Sequence, residues 1–287
     1  MKSYKDYVEI PFEEKMIKLD TGINMAYYEF GKDGGKPLLL IHGITDGCVS
    51  WTQMIPHLIE MGYHLYIVEY RGNGMTEKPD ADENGYTAEI IAEDVIDLMD
   101  KIGLKEINLV GHSYGSMISQ VLMAKYPDRF RTCILMDTGV DCRGPLITFA
   151  TEGDGEFRGM NAYPEYLPEK FCEEWMATTN EDPSFCQAVS AHLKQMPASA
   201  FRNLIHGLAH YDGGRWLGKI HGPVSIVWGS EDDVFTAEDQ NRVTNALADA
   251  EINWIEVTGA SHNGFWDSRK RAEEYADIIN RCIIEDK

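Results

Sequence analysis

At 287 residues, with 44% hydrophobic and 25% charged side chains and no low-complexity run, the chain has room for one large α/β domain, or for a core with an inserted subdomain. Its 47 acidic residues against 26 basic ones give a formal net charge of −21, which repels phosphate backbones and anionic lipid and so argues against nucleic-acid binding. The N-terminal residues hold no apolar run and no window approaches the ~18 apolar residues of a spanning helix, so the expectation is a cytoplasmic protein without signal peptide or membrane contact.

Two β-prone runs at 15–19 and 24–30 are separated by Asp20-Thr21-Gly22, a hairpin-type turn. The run at 38–41 is apolar on both faces, as a central parallel strand requires, and ends in the glycine-bearing loop His42-Gly43-Ile44-Thr45-Asp46-Gly47. A helix is expected at 51–61, stopped by Gly62, and a second buried strand at 63–70 leads into Arg71-Gly72-Asn73-Gly74 and a polar loop. Thr87 is placed to cap a long helix reaching about 102, because Ile90, Ile91, Val95, Leu98 and Met99 form one stripe.

The strand at 106–110 stops abruptly at Gly111-His112-Ser113-Tyr114-Gly115, and 116–126 then has helical spacing. Flanking glycines permit the strained angles and close helix approach of such a corner, which pushes the serine hydroxyl outward. A short strand at 132–136 ends at Asp137. From 138 to 221 the alternation lapses into a segment rich in aromatics and prolines, read as an inserted helical cap with helices at 168–178 and 199–209. Strand, turn and helix resume at 224–228, 229–233 and 237–247, followed by a last strand at 252–257, a loop at 259–264 and a terminal helix at 268–284. The domain reading is therefore a core of 1–137 and 222–287 with a cap of 138–221.

The polar turns at 42–47, 111–115, 229–233 and 259–264 all follow expected parallel strands, whose carboxyl ends share one edge of an open sheet. Ser113, Asp232 and His262 can converge there, in the chain order serine, acid, histidine. Asp137, at the end of another strand, is the reserve acid. Asp46 either touches substrate or water, or closes an Asx-turn in its own loop.

These residues resemble the α/β-hydrolase superfamily over most of the chain. His42-Gly43 matches its oxyanion loop, Gly111-His112-Ser113-Tyr114-Gly115 its nucleophile elbow, Gly229-x-x-Asp232 its acid turn, Ser261-His262 its histidine loop and Arg71-Gly72-Asn73-Gly74-Met75-Thr76 its R-G-x-G-x-S/T turn. Ser261 and Ser116 stand where the family often has glycine, and Thr236 stands near its common proline. The resemblance implies a mostly parallel sheet flanked by helices and no cofactor. A serine at the elbow disfavours dehalogenation or epoxide opening, which in this family use an aspartate.

The expected chemistry is cleavage of an ester or lactone, with Ser113 as nucleophile, His262 as base, Asp232 orienting it and the amides of Tyr114 and Ile44 binding the oxyanion. Trp51, Trp175, Phe265 and Trp266 are expected to contact a hydrophobic small-molecule substrate. Carbon-carbon hydrolysis, amide hydrolysis, cofactor-free oxygenase or lyase chemistry and receptor-like binding are the alternatives on this fold. Six scattered cysteines without C-x-x-C pairs suggest reduced thiols and no metal, and a monomer or homodimer is expected.

Overall fold

The computed structural model describes residues 13–80 and 83–283. The extreme N-terminus, part of the polar loop before Thr87 and residue 284 of the expected terminal helix lie outside the described residues.

Eight strands form one sheet: β1 Glu14–Lys18, β2 Asn24–Phe30, β3 Lys36–Ile41, β4 Tyr63–Glu69, β5 Ile107–His112, β6 Phe130–Met136, β7 Gly222–Gly229 and β8 Ala250–Val257. Their order is β1-β2-β4-β3-β5-β6-β7-β8, with β1 and β2 antiparallel and every pairing from β4 to β8 parallel. Strands β3 and β5 are covered on both faces, which explains their continuous apolar runs. The chain moves outward from β3 to β4, then back across to β5 and onward to β6. The order thus reverses between β3 and β5, where an open parallel sheet leaves a crevice at its carboxyl edge.

The helices flanking the sheet are α1 Ile55–Glu60, α2 Ala88–Lys101, α3 Tyr114–Lys125, and, after an insertion, α8 Ala237–Ala246 and α9 Arg269–Cys282. Between β6 and β7 lie α4 Pro145–Glu152, α5 Glu169–Trp175, α6 Pro183–Lys194 and α7 Ala198–Ala209. Helix α2 starts where the sequence places it, with the Thr87 side chain accepting from the Ile90 amide at 3.4 Å. The helix expected at 51–61 is shorter: Cys48–Trp51 is a tight 3-10 turn, and α1 begins only at Ile55, with proline in its first turn.

A buried ion pair ties the Arg71 turn to α2. Arg71 Nε and Nη2 donate to Asp94 at 2.6 and 2.7 Å, and Nη1 donates to the Gly85 carbonyl at 2.8 Å. Thr236, near the family's usual proline, caps α8 reciprocally with Asp239.

Candidate active site

The corner after β5 carries the strain its glycines suggest. Ser113 adopts φ 53° and ψ −121°, a left-handed conformation rare for a residue with a side chain. A Cβ at Gly111 would strike Ser119 Oγ and the Gly115 carbonyl, and one at Gly115 would strike the carbonyls of Ile41 and His42. Both glycines therefore let α3 begin directly against β3 and β5, with Ser113 at the top of the crevice.

Ser113, His262 and Asp232 come together from three separate loops. His262 Nε2 lies 2.9 Å from Ser113 Oγ, and His262 Nδ1 lies 3.1 and 3.0 Å from Asp232 Oδ1 and Oδ2. With Nδ1–H donating to the carboxylate, Nε2 is left to accept from the serine hydroxyl. Asp232 is fixed in turn, since its Oδ1 accepts from the amides of Val234 and Phe235 at 2.8 and 3.0 Å. Burial opposes its ionisation, but the charge and hydrogen bond of His262 and those two amides hold its carboxyl below the usual range. Burial also opposes protonation of His262, and Asp232 overcomes it, raising the imidazole to about 9.

Asp137 takes a different place. It is fully buried with φ 47°, its Oδ1 accepts from the Gly229 amide at 2.9 Å, and its Oδ2 has no hydrogen-bond partner. Burial, then repulsion from Asp232, pushes its carboxyl well above the usual range. Asp137 thus braces the turn that carries Asp232, and it is Asp232 that accepts from His262 Nδ1–H.

The two neighbouring histidines serve the scaffold. His112 Nε2 donates to the His262 carbonyl at 2.9 Å, holding the histidine loop over β5. His42 stacks on Tyr70 at 4.3 Å and donates from Nδ1 to the Gly43 carbonyl at 2.7 Å, and burial lowers its pKa to about 4. Asp46 does close its own loop, its Oδ2 accepting from the Gly43 amide at 3.1 Å, yet it also lines the cavity beside Ser113.

That cavity, about 570 Å³, has Ser113, His112 and His262 at its base, Gly43 to Asp46 on one wall and Leu146, Phe149, Trp175 and Met176 of the inserted segment on another. Of the four aromatic residues expected to contact substrate, Trp175 and Trp266 line it. Trp51 and Phe265 do not. They are buried beneath it, stacked on each other at 5.1 Å, with Phe265 edge-on to His112 at 4.9 Å, so their apolar area supports the histidines instead of a ligand. The Tyr114 ring is equally buried, its hydroxyl donating to the Tyr86 carbonyl at 3.1 Å, which leaves only the main chain of Tyr114 for the site.

Sequence reasoning missed Thr45, Leu146, Met176 and Val234. Thr45 Oγ1 accepts from the Trp175 indole at 2.8 Å and lies 3.7 Å from Met176 Sδ, and only the folded chain brings those elements together. Among the described residues no group of three or more His, Cys, Asp or Glu is arranged to hold a metal ion, and no helix is long and apolar enough to cross a membrane.

A family profile described as alpha/beta hydrolase fold matches residues 36–171. The chain is 32% identical over 129 residues to epoxide hydrolase 2 of Siraitia grosvenorii, a match covering 45% of this chain and 40% of that protein. It is 20% identical over 297 aligned positions to 2-hydroxy-6-oxononadienedioate/2-hydroxy-6-oxononatrienedioate hydrolase 1 of Pseudomonas putida, covering 94% of this chain and 95% of that protein. The chain therefore spans under half of the first relative and nearly all of the second. In fold it is similar to the enol-lactonase from Burkholderia xenovorans LB400, with a TM-score of 0.74, 18% identity and coverage of 94% and 100%.

Proposed function

We propose that this chain, similar over residues 36–171 to the alpha/beta hydrolase fold, is a hydrolase that cleaves a carboxylic ester or lactone of a small, largely hydrophobic molecule through an acyl-enzyme. The observation that carries this reading is the hydrogen-bonded line from Asp232 through His262 to Ser113 at the base of a cavity of about 570 Å³. A serine hydroxyl is a weak nucleophile at neutral pH and needs a base within hydrogen-bond reach, which His262 Nε2 supplies.

As Ser113 Oγ attacks the substrate carbonyl, its proton passes to His262 Nε2. Asp232 stabilises the imidazolium and holds the ring in place. The amide of Gly43 is taken by Asp46, so the oxyanion falls to the amides of Ile44 and Tyr114, the latter at the N-terminus of α3. A single such donor lowers the barrier by about 3 kcal/mol. His262 then protonates the leaving alkoxide, and the acyl group stays on Ser113. Water, deprotonated by the same imidazole, attacks the acyl-enzyme and releases the acid.

The segment 138–221 acts as the cap. It places Leu146, Phe149, Trp175 and Met176 over the serine, which suits an apolar acyl or alcohol group. Stopped-flow hydrolysis of p-nitrophenyl butyrate should show a burst of nitrophenolate equal to the enzyme concentration. Linear release from the first turnover, together with no trapped acyl group, would instead favour a mechanism without Ser113 as nucleophile. The near full-length match to a dienedioate hydrolase supports carbon-carbon cleavage as a second reading, which would show as turnover of a vinylogous diketo acid but not of esters.

A further inference from the structure

The walls of the cavity carry a charge pattern that the ester chemistry does not require. Four acidic side chains line it, Asp46, Glu174, Asp233 and Asp267, and among the described residues no lysine or arginine does. Glu174 is partly offset by Lys170 at 3.7 Å. The other three have no ion pair with a lysine or arginine among the described residues. Asp46 Oδ2 accepts from the Gly43 amide and lies 3.8 Å from His112 Nδ1, with His42 and His192 also near it, and Asp267 accepts from the Thr179 hydroxyl at 2.8 Å. Burial opposes ionisation of Asp46, but the hydrogen bond and charge of His112 hold its carboxyl below the usual range, so it is anionic at neutral pH.

A further observation points to a cationic ligand. The rings of Phe149, Trp175 and Trp266 line the same space, and an aromatic face attracts a cation by its quadrupole. The wall thus offers negative charge and π faces and, away from the catalytic His262, no cationic side chain among the described residues.

We infer that this cavity selects an ester or lactone bearing a positively charged ammonium group and rejects anionic substrates. The inference rests on the proposed hydrolysis at Ser113 and names the substrate class for that site. It also separates this chain from its full-length dienedioate-hydrolase relative, whose named substrate carries two acid groups.

The test is a shape-matched series of p-nitrophenyl esters: 4-(trimethylammonio)butanoate, its neutral isostere 5,5-dimethylhexanoate, and hydrogen glutarate as the anion. Summed over several carboxylates at cavity distances, the expected preference in kcat/KM of cation over anion is about tenfold or more at low salt. It should narrow in 0.5 M NaCl and in the Asp233→Asn/Asp267→Asn double variant. Equal or faster turnover of the glutarate, or a preference indifferent to salt and to the double variant, would overturn the inference while leaving hydrolysis intact. If none of the three esters turns over, the proposed hydrolysis fails separately, and tryptophan fluorescence decides the charge selection. Saturable quenching by phenyltrimethylammonium with none by phenylacetate supports it, and any other pattern overturns it.

Discussion

The indole N–H of Trp175 donates to Thr45 Oγ1 at 2.8 Å, joining the C-terminal end of α5 to the loop that follows β3. Thr45 is buried and stands next to Ile44, whose amide is proposed to bind the oxyanion. One hydrogen bond therefore couples the position of the inserted segment to that of a proposed transition-state donor.

Trp175→Phe keeps the ring and removes the bond. It should lower kcat by about three- to tenfold, in line with ~1 kcal/mol for a hydrogen bond, while KM for a small acetate ester changes less. Steady-state kinetics with p-nitrophenyl acetate check this. A change confined to KM would mean that Trp175 contacts substrate without acting on the loop.

Asp232 and Asp137 should separate cleanly on amidation. Asp232→Asn loses the acceptor for His262 Nδ1–H and should cut kcat by about 10⁴-fold. Asp137→Asn can still accept from the Gly229 amide and should retain activity within about tenfold. Its folded state also stops holding a proton that the unfolded chain has released above pH ~4, so at pH 7 the variant should be at least as stable as the parent. Paired rate and denaturation measurements check both, and the reverse order of rate losses would move the acid to Asp137.

The base works only as neutral imidazole, and Asp232 raises His262 to about 9 against the opposition of burial. Hydrolysis should therefore climb with pH through the range from about 7 to 9, and Asp232→Asn should move that limb toward acid. The sign for stability is opposite. An unfolded histidine titrates near ~6.5, so the folded state binds the proton more tightly, and this contribution, complete below pH ~6.5, is lost as pH rises through about 9. Activity and urea-denaturation profiles across pH 6–10 should thus diverge.

Arg71 and Asp94 form a bidentate pair with both side chains buried or nearly so. Removing one partner leaves the other charge stranded, so Asp94→Ala should cost roughly 3–5 kcal/mol in urea denaturation. A loss below ~1 kcal/mol would show that water reaches Arg71 and compensates.

How much of this was legible in the sequence depended on locality. The strands and the corner at Ser113 follow from short-range patterns: doubly apolar runs such as Leu38 to Ile41, and glycines at 111 and 115 where a Cβ would strike backbone. The chain order of Ser113, Asp232 and His262 placed them on one sheet edge, where the structure joins them by hydrogen bonds. What composition hides is direction. Trp51 and Phe265 are as aromatic as Trp175 and Trp266, but whether a ring faces the cavity or the layer beneath it is settled by packing of distant segments. The helix expected at 51–61 is shorter in the structure for a related reason, since the turn at Cys48–Trp51 is closed by its own tight hydrogen bonds and a regular helix begins only at Ile55.

The central claim is that Ser113 is a nucleophile activated by His262. The most direct measurement is labelling of the purified protein with a fluorophosphonate, followed by peptide mass spectrometry, in parallel with Ser113→Ala and His262→Ala. The account predicts stoichiometric modification at Ser113, none in Ser113→Ala and strongly slowed labelling in His262→Ala, with Ser113→Ala still folded. A folded parent protein that remains unlabelled, or is labelled equally well without His262, would contradict it.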